Sequence, residues 1–164
     1  MSRGSAARRS GGRRRMGALL VLVASLALAS PACASITAKL VKDFNWGPQG
    51  GPAEYLTDVD GTLLFRSWEP DHGLELWGSD GSTAGTKLLK DIRPGAEDSE
   101  PDSLVEAGGE LFFSADDGVH GRELWTSDGT RAGTRLVKDI NPGPQMGCCD
   151  PMERVGRMVY FDAY

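Results

Sequence analysis

Three kinds of side chain in this sequence have the chemistry to bind a cation or move a proton, and each occurs more than once. Aspartates precede glycines at Asp80-Gly81 and Asp128-Gly129, beside Ser79 and Ser127, and Asp116-Asp117-Gly118 adds further carboxylates. His72 and His120 both stand in the setting His-Gly-x-Glu-Leu-Trp, and Cys148 and Cys149 are adjacent. Carboxylate and hydroxyl oxygens are the ligands that calcium takes, so Asp80, Asp128, Asp116 and Asp117 are the candidate metal positions. A calcium loop, however, wants oxygens at alternating positions over about a dozen residues and a closing glutamate. Here Asp80 is followed by Gly, Ser, Thr, Ala and Gly. Aspartate before glycine is first a turn residue, because its carboxylate bonds the backbone two residues on. The expectation at these positions is turn structure, with a weak calcium site as the alternative and no other cofactor. The two histidines are 48 residues apart, on successive structural units, and read as hydrogen-bonded or exposed loop residues rather than ligands of one ion. The vicinal cysteines cannot staple distant parts of a fold. They read as two ordinary residues, with a strained ring or pairing to another chain left open.

What positions these groups is a repeat. Residues 75–92 read ELWGSDGSTAGTKLLKDI and residues 123–140 read ELWTSDGTRAGTRLVKDI, 48 apart without an insertion. Lys42-Asp43-Phe44, Lys90-Asp91-Ile92 and Lys138-Asp139-Ile140 keep the same step, as do Leu63-Leu64-Phe65, Leu111-Phe112-Phe113 and Val159-Tyr160-Phe161. A fixed period of that length means one supersecondary unit stacked on copies of itself. In the copy at 102–140, strands are expected over 103–107, 110–115, 122–127 and 134–140. Gly108-Gly109 makes the first hairpin turn, Asp116-Asp117-Gly118 the second, and residues 128–133 a longer loop. Asn141-Pro142-Gly143-Pro144 ends the unit. The second strand is apolar enough for burial on both faces, and the third has alternating character.

Outside the N-terminal apolar run no stretch shows a 3.6-residue period, so the fold class is all-β. Four antiparallel strands per 48-residue repeat is the make-up of a β-propeller-like blade. Blades are expected at 54–92 and 102–140, a partial blade at 150–164, and an N-terminal strand and linker at 35–53. This is an incomplete ring of about 2.7 units, which predicts a piece of a longer repeat protein. Self-association through open blade faces is the alternative way to cover them. Trp77 and Trp125 share one repeat position and are expected to pack between blades. Trp46 and Trp68 do not recur and suit a surface contact better.

Residues 1–34 read as an export signal. Six arginines precede residue 16, an apolar run of about 14 residues follows, and Ser30-Pro31-Ala32-Cys33-Ala34 closes it. Such a run rises only ~21 Å as a helix, short of the ~30 Å hydrocarbon core. A cleaved signal with cutting after Ala34 is expected rather than an integral span, with a lipoprotein at Cys33 as the minor alternative. All 23 acidic residues follow Ala34, leaving 12 basic residues against them and a formal charge of −11. That charge repels phosphate backbones and disfavours nucleic acid as a partner.

The segment Glu-Leu-Trp-x-x-Asp-Gly-[Ser/Thr] at 75–82 and 123–130 resembles the tandem ELWxxDGT repeat of exported bacterial proteins. Ala84-Gly85-Thr86, Ala132-Gly133-Thr134 and Val137-Lys138-Asp139-Ile140 match the same repeat, over about residues 38–164. The resemblance implies a secreted or cell-surface repeat protein of propeller-like form, and carries over no catalytic residue.

Catalysis needs an asymmetric set of groups around one reacting atom. Residues copied once per repeat serve a need that every repeat has, which is folding. A binding site is therefore expected where the copies differ, in loops. Those positions are Trp68-Glu69-Pro70-Asp71 against Asp116-Asp117-Gly118-Val119, and Ala96-Glu97-Asp98-Ser99 against Pro144-Gln145-Met146-Gly147. Trp68, Glu69 and Asp71 are the candidate ligand contacts. The function expected is a non-enzymatic module that binds an extracellular protein or glycan. The alternative is a fragment of a propeller enzyme acting on extracellular polysaccharide.

Overall fold

A computed structural model describes residues 18–23, 37–44 and 51–164, and side chains from residue 39 onward within that set. The arginine-rich start, the cleavage point after Ala34, Cys33 and Trp46 lie outside the described residues. Every regular element described is a strand. β1 (Ala18–Val23) and β2 (Thr37–Asp43) pair antiparallel. β3 (Glu54–Val59), β4 (Thr62–Glu69), β5 (Gly73–Ser79) and β6 (Lys87–Lys90) form a four-stranded sheet in chain order. β7 (Asp102–Ala107), β8 (Glu110–Asp116), β9 (Arg122–Ser127) and β10 (Arg135–Lys138) form a second, and β11 (Cys148–Val155) pairs with β12 (Met158–Ala163).

The turns explain the register. Asp60 and Gly61, like Gly108 and Gly109, have positive φ at both central positions. That is the two-residue hairpin whose twist matches the strands it joins. The two sheets then pair alike: Phe65 lies opposite Trp77 in the first, and Phe113 opposite Trp125 in the second.

Successive sheets pack face to face. Val59, Leu64, Leu76, Leu89 and Ile92 of the first sheet meet Leu111, Phe113, Ala115 and Trp125 of the second in one core cluster. On the first sheet's other face, Phe65 and Trp77 close over Phe44, with ring centroids 5.7 and 5.1 Å from it in edge-on geometry. On the second sheet's other face, Leu124 and Phe112 meet Cys148, Cys149, Met152 and Phe161. Each four-stranded sheet is thus covered on both sides, as expected of units that cannot bury their faces alone. The sheets do not close into a barrel or ring among the described residues.

Four expectations need correction. The third strand is not alternating: β9 is buried at five of six positions and β5 at six of seven. It lies inside its sheet with another layer against each face, so even its polar residues are enclosed. Trp68 and Glu69 are not loop residues but the last two of β4, paired with Leu74 and Gly73. The fourth strand is four residues long in each sheet, because Thr86 and Thr134 turn their hydroxyls back into the preceding loop. Cys148 and Cys149 are not two ordinary thiols. They are joined in a vicinal disulfide and fully buried in the third cluster.

Candidate functional site

The Asp-Gly loops use their own polar groups. The Asp80 carboxylate accepts the Ser82 amide at 2.8 Å and the Ser82 hydroxyl at 2.7 Å. Asp128 takes the amide and hydroxyl of Thr130 at 2.9 and 2.7 Å. These donors hold both carboxyls below the usual carboxylate range. Ser82 in turn accepts the Gly85 amide, and Thr86 donates back to the Ser82 carbonyl while meeting Ser79 Oγ at 2.7 Å. Thr130, Gly133, Thr134 and Ser127 repeat the arrangement. Only glycine fits at 85 and 133, since a Cβ there would run into the Asp80 or Asp128 carboxylate. Every polar residue of Ser-Asp-Gly-[Ser/Thr]-x-Ala-Gly-Thr therefore has a place inside the loop. Among the described residues, no three His, Cys, Asp or Glu side chains gather as a metal-holding group.

The histidines each pair with an acid three residues earlier. His72 Nδ1 meets Glu69 Oε1, and His120 Nδ1 meets Asp117 Oδ2 at 2.7 Å. Burial works against the Asp117 charge, yet the amides of His120 and Val119 and the His120 ring outweigh it and lower its pKa. The hydrogen bond to Asp117 raises that of His120. Glu69 and Asp117 differ in type but are 48 apart and do the same work, a correspondence present in the sequence once acid is matched with acid.

A second pair of acids was not anticipated as a site at all. Glu75 and Glu123, the glutamates of Glu-Leu-Trp, are fully buried. Glu75 accepts the amides of Ile92 and Arg93 at 3.1 Å and the Ser99 hydroxyl at 2.7 Å. It thereby fastens the segment after β6 to β5. Burial raises its pKa to about 7, against the pull of those donors. Glu123 accepts the Asn141 amide at 3.1 Å. Gly147 stands where the earlier copy has Ser99, and Glu123 Oε2 has no partner among the described residues.

The positions where the copies differ come together along one rim. Leu74 N donates to Asp98 at 2.7 Å, and Gly73 packs against the Glu97 backbone, so the β4–β5 turn and residues 96–99 touch. Arg93 bridges Glu97 at 2.8 Å and Asp116 at 3.1 Å, tying that loop to the β8–β9 turn. Gly121 of this turn packs on Gln145, continuing the row. Trp68 is half-buried at the near end and Asp71 is exposed. Of the candidate contacts, Glu69 is engaged by His72, while Trp68 and Asp71 remain on the rim. Carboxylates outnumber cations among these residues, so the rim offers hydrogen-bond acceptors.

No helix among the described residues is long and apolar enough to cross a membrane. No family model, curated protein or solved structure matches the chain.

Proposed function

We propose that this is an exported repeat protein of the ELWxxDGT type, a propeller-like stack of blades serving as a non-enzymatic binding module. The observation that carries the reading is a division of labour. Residues that recur every 48 positions are consumed in loops, latches and interlayer packing, whereas those that differ gather on the acidic rim holding Trp68 and Asp71. A half-buried indole at the end of β4 together with the rim's acceptor oxygens suits a glycan or a basic stretch of an extracellular protein. Export removes residues 1–34, and with them β1, leaving β2 an open edge beside the first sheet.

The test is a screen of the purified protein against immobilised glycans and extracellular proteins, with and without calcium, alongside hydrolysis assays. The reading predicts saturable binding without turnover, unchanged by calcium. Turnover that disappears in Asp71→Asn or Glu69→Gln would overturn it.

A further inference from the structure

The two halves of the rim differ in chemistry. In the first unit the β4–β5 turn and the loop after β6 present acids, Asp71 and Asp98, with Glu97 beside the second. The same places 48 residues on carry Val119 and Met146. These aliphatic side chains are 67% and 53% exposed. Asp71 and Asp98 are exposed as well, although the second unit already packs on the first and Arg93 ties the two together. Both positions therefore face outward as a property of the repeat, whatever residue fills them.

Both apolar side chains stand on pinned backbone. Val119 N donates to Asp117 Oδ1 at 2.9 Å, and His120 N donates to the same oxygen at 2.8 Å. The Met146 carbonyl accepts Asn141 Nδ2 at 3.3 Å, and the next amide, Gly147 N, donates to the Arg122 carbonyl at 3.0 Å. Turn and loop meet where Gly121 lies against the Gln145 carbonyl. Neither Val119 nor Met146 joins a core cluster among the described residues. Holding two aliphatic side chains in water on fixed loops gains the fold nothing. In the acidic half, Arg93 is engaged by Glu97 and Asp116, and neither Asp71 nor Asp98 has an ion pair among the described residues.

We infer that the rim binds an extended segment of an extracellular polypeptide in which a stretch rich in lysine or arginine adjoins aliphatic residues. The basic stretch lies along Asp71 and Asp98, and the aliphatic side chains rest on Val119 and Met146. The inference rests on the binding-module reading and narrows its ligand to protein. Carboxylates pair with ammonium and guanidinium groups through charge-assisted hydrogen bonds. The unbranched thioether of methionine adapts to a partner's apolar side chain. Sugar hydroxyls, by contrast, find no strong hydrogen-bonding group on Val119 or Met146.

The probes are labelled ten-residue peptides, each about 33 Å long when extended. One carries lysines followed by leucines and valines, and a second reverses that order. Two controls replace either the lysines or the aliphatic residues with serine. Each is titrated into the full chain by fluorescence anisotropy, beside a glycan array. Saturable binding of a mixed peptide in one order is expected, at least roughly tenfold tighter than either control. Val119→Ser with Met146→Ser should reduce it to the level of the lysine-only peptide, and Asp71→Asn with Asp98→Asn should remove its salt dependence. Both double variants should keep Tm within about 2 °C of wild type. Equal binding of the mixed and lysine-only peptides, or an unaffected Val119/Met146 variant, overturns the inference. Glycan binding lost in the Asp71/Asp98 variant, with no mixed peptide bound, overturns it while the binding-module reading stands. No ligand in either assay overturns both.

Discussion

At the scale of single residues, burial and hydrogen bonding set what each acid can do. The native state holds a proton on Glu75 up to about pH 7, while the unfolded chain releases it near the ordinary 4.5. Between those values the native state binds more protons, so rising pH removes stability, by up to about 1.4 kcal/mol per pH unit from this group. Glu75→Gln should abolish that slope, which urea unfolding at about pH 5 and about pH 8 would reveal as a lost difference from wild type. Gly133→Ala drives a Cβ into Asp128 and should cost about 1–3 kcal/mol by thermal unfolding. The added change Asp128→Ala removes the obstacle, so the double variant should lose less than the sum of the singles. The Asp-Gly turns were legible because aspartate and its donors lie two residues apart. The Glu75 latch was not, because its partners are 17, 18 and 24 residues away and meet it only through sheet packing.

At the scale of elements, the strand boundaries followed from glycine pairs and apolar alternation, and the second strand's two-sided burial was readable from Glu110-Leu111-Phe112-Phe113. The third strand misled because Glu123, Thr126 and Ser127 are polar residues that suggest exposure. In the sheet interior the two hydroxyls are met from within: Thr126 donates to the Leu111 carbonyl and Ser127 meets Thr134. The tryptophans were expected between layers, and both face the unit before their own. Trp77 is 2% exposed against Phe44 and Phe65, and Trp77→Ala should cost about 3–5 kcal/mol in chemical unfolding. An exposed β10 residue such as Val137 should tolerate Val137→Thr within roughly 0.5 kcal/mol in the same assay.

At the scale of the whole molecule, layers of sheet stacked along the chain were foreshadowed by the 48-residue step. The step says that neighbours are equivalent. It does not say how far each layer turns relative to the last, and so ring closure was not legible. The export reading also belongs at this scale. N-terminal sequencing of protein secreted from a bacterial host should begin at Ser35, and recovery of an intact Ala18–Val23 segment in the secreted form would contradict it. The central claim is that recurring residues build the scaffold and differing residues bind. It is tested most directly by comparing two double variants for Tm and for binding to the best ligand from the glycan and protein screen. Trp68→Ala with Asp71→Asn should lose at least roughly tenfold in affinity while Tm stays within about 2 °C. Asp80→Ala with Asp128→Ala should lower Tm by at least about 4 °C and bind normally below it. A screen that yields no ligand, an unaffected rim variant, or an Asp80/Asp128 variant that loses binding at unchanged Tm would contradict the account.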